Sequence, residues 1–188
     1  MVSSSVSTTS TSTSAGVGGA EPSPCGNGQI DEGEQCDDAN DAPGDGCDAC
    51  VVECDGPGES KHPSTFHCYR YVASPLGWAA ADAACAAWGG APGQARLASI
   101  RSDQELANVL VITAAEAWIG ANDQATEGVY VWSDGEPFDF EAWASFEPSD
   151  DGDDGEDCVL ARPTGLWADA ACGLARPYVC ERRPSGAD

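Results

Sequence analysis

Apolar and polar positions alternate along Thr65-Phe-His-Cys-Tyr-Arg-Tyr-Val72, a run carrying aromatic and β-branched residues, and the alternation predicts a strand. Gly77 to Trp88 is Ala-rich and strongly helix-favouring. Trp78 and Cys85 fall on one face of that helix, which turns Cys85 inward for a bridge, and Gly89-Gly90 supplies a stop. Ser102-Asp-Gln-Glu105 is a capping box. It opens a second helix whose Leu106, Val109, Leu110 and Thr113 follow the i, i+3, i+4, i+7 stripe. Short apolar runs come next: Ala117-Trp-Ile119, Val129-Tyr-Val-Trp132, Val159-Leu160 and Tyr178-Val-Cys180. Two helices followed by several short strands imply an α+β fold. Trp78, Trp118 and Trp132 read as core. Between Ser133 and Asp157 no period is visible, and so long an irregular loop is usually functional or disordered.

Composition divides the chain. Residues 1–24 are nearly all Ser, Thr, Gly, Ala and Val, and read as a disordered tether that cannot bury a core. From 25 to 53 four cysteines stand among Gly and Asp turns, so this segment must be stapled rather than packed. Residues 54–183 read as one globular domain, and 184–188 as a tail. Ten dispersed cysteines imply a disulfide framework in an oxidising compartment, hence an extracellular or cell-surface location. Zinc is the competing use of Cys47-x-x-Cys50, although the second half of a zinc knuckle is missing. No apolar stretch approaches the ~20 residues of a membrane span, so membrane insertion is not expected. The N-terminus shows neither a charged nor an apolar signal-peptide region, so export is inferred from cysteine usage alone.

The formal net charge of −24, with all eight basic residues at or beyond Lys61, excludes nucleic acid and anionic membranes as partners. It suits cations, neutral ligands or basic proteins, and it also serves solubility in a salty medium. The charge is concentrated in Glu147-Pro-Ser-Asp-Asp-Gly-Asp-Asp-Gly-Glu-Asp157, where seven carboxylates stand among eleven residues without one Lys or Arg. Carboxylates about 6 Å apart repel by roughly 0.7 kcal/mol per pair even in bulk water, so ordering this loop calls for a cation. Ca²⁺ takes about six to eight hard oxygens, which such a loop can supply. His62 and His67 lie near Ser64 without an oriented acid or nucleophile motif, so catalysis is not expected.

Two resemblances organise these pieces. Cys25-Gly-Asn-Gly, Gly33-Glu-Gln-Cys36-Asp-Asp-Ala-Asn40 and Gly44-Asp-Gly-Cys47 resemble a Myxococcus-type cysteine-rich repeat, departing from it at Ala39 and in a shorter Cys47–Cys50 spacing. That resemblance implies an extracellular spacer in which Cys25, Cys36, Cys47 and Cys50 pair among themselves. Asp37, Asp38, Asn40, Asp41 and Asp45 there are either calcium ligands or turn residues that cap their own backbone.

The second covers residues 54–183. Cys68-Tyr, Trp78 through Cys85, Ala95-Arg-Leu-Ala-Ser-Ile100, Trp118-Ile-Gly120, Trp143, Glu147-Pro148, Glu156-Asp-Cys158, Trp167-x-Asp169, Cys172 and Tyr178-Val-Cys180-Glu181 stand in the order of a C-type lectin-like domain. The resemblance implies bridges Cys85–Cys180, Cys158–Cys172 and Cys54–Cys68, and a cis bond at Glu147–Pro148. It also places Trp143 and Trp167 beneath the long loop. It implies Ca²⁺ and, as ligand, a glycan or an extracellular protein. Glu147, Ser149, Glu156 and Asp169 match the calcium position that also contacts sugar in this family. Ser149 and Ala168 stand where sugar-binding members carry Asn, and alanine removes one ligand and one sugar-facing donor. The Glu147-Pro148 order leans towards mannose-type sugars. Asp123, Glu127, Asp150, Glu156 and Asp157 match the auxiliary calcium position.

Overall fold

The computed structural model describes residues 25–39, 47–54, 56–88, 95–151 and 155–184. The expected tether, the Asn40-to-Gly46 turns, the Gly89-Gly90 stop and the tail beyond Pro184 lie outside the described residues. Strands β1 (Cys47–Asp48) and β2 (Val51–Val52) form a small ribbon in the cysteine-rich segment. The main sheet is built from β3 (Glu59–Lys61), β4 (Cys68–Leu76), β5 (Ala95–Leu97), β6 (Ala117–Asn122), β7 (Val131–Trp132), β8 (Cys158–Ala161), β9 (Trp167–Ala170) and β10 (Arg176–Arg182). Its order is β3-β4-β10-β6-β8-β9, with β5 joined to β10 and β7 to β6. Pairing is antiparallel except between β10 and β6.

The register of this sheet separates two cores. Successive side chains on a strand point to opposite faces. Tyr178, Trp118, Leu160 and Ala168 are aligned across four strands and pack with Trp78, Ala81 and Cys85 of helix α1 (Trp78–Ala86). Ala117, Ala161 and Trp167 are aligned on the other face, where helix α2 (Asp103–Ile112) adds Val109 and Leu106. Phe138, Phe140 and Trp143 of the long loop close that second core over Trp167. Each fully buried Trp removes ~200 Å² from water, about 5 kcal/mol at ~25 cal/mol per Å². Trp118 and Trp167 are both wholly buried, so they anchor the two layers.

Several boundaries differ from the sequence reading for local reasons. The strand predicted from Thr65 begins at Cys68, because Ser64 and Thr65 donate their N–H groups to His62 Nδ1 in a turn. It then continues to Leu76, past Pro75, along a stretch that β3 does not cover. Helix α1 ends at Ala86, where the N–H groups of Ala87 and Trp88 turn back to the Ala83 and Cys85 carbonyls. The capping box forms by half: Ser102 Oγ accepts from the Glu105 N–H at 3.2 Å, whereas the Glu105 carboxylate turns to the Arg101 N–H at 2.6 Å. Of the Val129–Trp132 run only the last two residues pair, since Val129 N–H closes a turn on Thr126.

All ten cysteines are bridged. Cys85–Cys180 ties α1 to β10, while Cys158–Cys172 and Cys54–Cys68 form as the lectin resemblance implied. Cys25–Cys50 and Cys36–Cys47 settle the pairing left open in the N-terminal segment and remove the zinc alternative. Asp37 organises that segment. Its buried carboxylate accepts N–H groups from Gly26, Asn27, Gly28 and Ala39 at 2.8–3.0 Å. Burial alone would raise its pKa, but these four donors outweigh it and hold the carboxyl below its usual value. Asp37 therefore caps backbone instead of holding a cation.

Candidate functional site

Strand β6 delivers Asp123 to the end of the sheet. The Asp123 N–H donates to the Asp157 carbonyl at 3.1 Å, and its own carbonyl accepts from Thr126. Gly128, with φ of 74°, lets the chain turn so that its N–H reaches Asp123 Oδ2 at 2.9 Å. Asp123 is 2% exposed, yet its Oδ1 has no hydrogen-bond partner among the described residues. A buried acceptor left bare costs about 1–3 kcal/mol and more when charged. Glu127 lies close by: burial, and then the charges of Asp123, Asp150 and Asp157, push its pKa up. The Asp150 and Asp157 carboxylates converge over Gly155, where a Cβ would stand 3.4 Å from Asp157 Oδ1 and 3.8 Å from Asp150 Oδ1. No Lys or Arg of the described residues pairs with any of these four acids. A bare buried oxygen within a cluster of unneutralised hard oxygens fits a calcium ion.

The second predicted set converges a few residues away but in a different state. Glu147 follows Phe146, which is 97% exposed, and the Glu147–Pro148 bond is cis. Asp169 comes from β9 and accepts the Ser149 and Asp150 N–H groups at 2.9 Å. Burial works to raise its pKa, but these donors prevail and hold it low. Glu156 Oε2 accepts from Ser149 Oγ at 3.2 Å and from the Asp151 N–H at 3.0 Å. Glu147 faces Asp169, and its pKa is pushed up by burial and by that neighbour. Arg162 Nη2 donates to Glu147 Oε1 at 3.1 Å. Ala168 packs with Leu160 and Ala170 in the α1-side core, so its side chain leaves Asp169 on the opposite face of β9. The three carboxylates Glu147, Glu156 and Asp169 are thus already supplied with donors by the protein, Ser149 being one of those donors, and the set does not fit a calcium ion in this arrangement.

The residues read from sequence therefore fall into two adjoining groups, with Asp150 and Glu156 joining them through the 3.1 Å bond from Glu156 N–H to Asp150 Oδ1. Asp153 and Asp154 of the acidic run lie outside the described residues. Two participants were missed. Tyr130, whose ring packs against Phe138 and Trp143, has its hydroxyl pKa raised by burial and then by the charges of Asp123, Asp169, Glu127 and Asp150. Arg162 sits just past β8, too far in sequence from Glu147 for any local pattern to pair them. A third cluster, Glu34, Asp37 and Cys50, is no metal site, because Cys50 is bridged and Asp37 is filled by amides.

A family model described as the lectin C-type domain matches residues 74–182, so the chain belongs to the C-type lectin domain family. Its members are recognition modules. The chain is 36% identical over 135 residues to the C-type mannose receptor 2 of Mus musculus, a match covering 70% of this chain and 9% of that protein. It thus spans a small part of that relative's length. Among solved structures, the carbohydrate-recognition domain of cow CD23, crystallised with a GlcNAc2Man3 oligosaccharide, superposes with a TM-score of 0.57 at 31% identity. That match covers 66% of this chain and 97% of the other. A calcium-independent type II antifreeze protein gives 0.60 at 26% identity, covering 69% and 94%.

Proposed function

We propose that this chain is an extracellular, calcium-dependent recognition module that binds carbohydrate, of mannose type by its Glu147-Pro148 order. Calcium is assigned to Asp123, Glu127, Asp150 and Asp157. The observation that carries this is the buried Asp123 Oδ1, without a hydrogen-bond partner among the described residues, beside acids that no Lys or Arg of the described residues pairs with. When bound, the ion supplies positive charge that neutralises these carboxylates. The Glu156 N–H donates to Asp150 Oδ1, so ordering the first group shapes the second. Glu147, Ser149, Glu156 and Asp169 then form the ligand edge, offering carboxylate acceptors and one hydroxyl to ligand hydroxyls.

Kinship with a mannose receptor and with a domain crystallised with an oligosaccharide supports the choice of ligand. The cysteine-rich segment is proposed as a spacer holding the domain away from its attachment. Among the described residues no helix is long and apolar enough to cross a membrane. The test is a glycan array probed with the intact chain, with and without EDTA. Mannose-type signals abolished by EDTA are expected; signals that ignore EDTA would refute calcium dependence.

A protein ligand is the second reading. It is favoured by Ala168, which is buried in the α1-side core and offers no amide to a sugar, and by the exposed Phe146 beside Glu147. A silent array together with measurable calcium affinity would select it.

A further inference from the structure

The two groups differ in one respect that the proposed function does not use. Among the described residues no positive side chain pairs with Asp123, Glu127, Asp150 or Asp157, whereas the ligand edge holds Arg162. Arg162 Nη2 lies 3.1 Å from Glu147 Oε1, and its Nε lies 3.5 Å from Glu116 Oε1. Arg176 lies 4.0 Å from the other Glu116 oxygen, so charges alternate outward from the edge. The Arg162 backbone is fixed at both ends: its N–H donates to the Leu166 carbonyl and its carbonyl accepts from the Gly165 N–H, each at 2.9 Å. The guanidinium is therefore mounted on a pinned turn, and the rest of the edge is filled by the Ser149, Asp150 and Asp151 N–H groups.

Resting on the reading that this edge meets the ligand, we infer that Arg162 is its resident cation. The domain holds one calcium ion, at the Asp123 end, and the guanidinium stands at Glu147 in place of a second. A guanidinium has donors only and a carboxylate acceptors only. The Arg162–Glu147 pair thus offers vicinal hydroxyls one partner that donates and one that accepts, a direct hydrogen-bonding mode needing no metal contact. Arg162 is a positioning and specificity-determining residue in this scheme.

The test compares the intact, disulfide-bonded chain with Arg162→Gln and Arg162→Lys. Calcium calorimetry on the unaltered chain is expected to give one ion, and two ions would overturn the inference. In EDTA, Arg162→Gln is expected to melt about 3 °C lower, the size for losing one such pair in a domain of this length. Arg162→Lys is expected to recover most of that loss. An Arg162→Gln melt superimposable on the unaltered chain in EDTA would overturn the inference whether or not calcium binds. Binding of no ion at all would sink the calcium reading instead, while the EDTA melts would still decide the role of Arg162.

Discussion

His67 and Glu181, 114 positions apart, meet through Nδ1 and Oε1 at 2.5 Å inside the domain. The other Glu181 oxygen accepts the Ser99 N–H at 2.8 Å, so one carboxylate joins the β3–β4 hairpin, β10 and the segment after β5. Replacing Glu181 by Ala leaves the buried Ser99 N–H and the His67 ring without this acceptor. A loss of about 2–3 kcal/mol is expected, read as a lower urea midpoint. An unchanged midpoint would mean that water replaces the carboxylate freely.

Calcium should raise the melting temperature, because an ion that binds only the native state stabilises it. At a hundred times the dissociation constant the gain is about 2.7 kcal/mol. Asp123→Asn is expected to abolish the calcium shift. Without calcium that variant should melt at or above the unaltered chain, since one member of a repelling group is neutralised. Thermal scans in EDTA and in excess calcium check both statements. Overlaid scans of the unaltered chain would reject the metal site.

Trp167 is wholly buried, and four aromatic rings stand within 6.4 Å of its ring. Its N–H and carbonyl also pair with Ala142 and Ala144 of the long loop. Trp167→Ala should cost about 3–5 kcal/mol. It should also speed amide exchange at residues 142–147 ahead of the rest of the domain. Equal protection there would show that the loop does not depend on this ring.

The four N–H donors on Asp37 set the sign of a pH effect in the cysteine-rich segment. Its folded-state pKa lies below the ordinary carboxyl value, so its contribution is fully present above the unfolded-state pKa. The contribution is lost as the pH falls through the folded-state value. Asp37→Asn should therefore lower stability at pH 7 and make little difference in strong acid, as measured by urea titration at both. A variant equally destabilised at both would assign the effect to packing instead of charge.

Much of the framework was legible because it rests on local rules. The Ala-rich helix, the Ser102 cap and the apolar runs each mark an element within a few residues. The ordered cysteines and tryptophans fix the family. The short strands β3 and β5 had no periodic signal, since two or three residues cannot show a period and their pairing with β4 and β10 decides them. The long loop looked patternless because Phe138, Phe140 and Trp143 are spaced to fit around Trp167 and not to fit a repeat.

Sequence alone placed seven carboxylates in the run from Glu147 to Asp157, implied the three lectin bridges through its family resemblance, and put Ala168 where sugar-binding members carry Asn. Tertiary structure alone decided how those acids are divided. Backbone N–H groups and one guanidinium satisfy Glu147, Glu156 and Asp169, while Asp123 is buried with one oxygen bare of any partner among the described residues. The reason is that an acid's behaviour depends on the donors within about 3 Å of it. Those donors arrive from strands and turns remote along the chain.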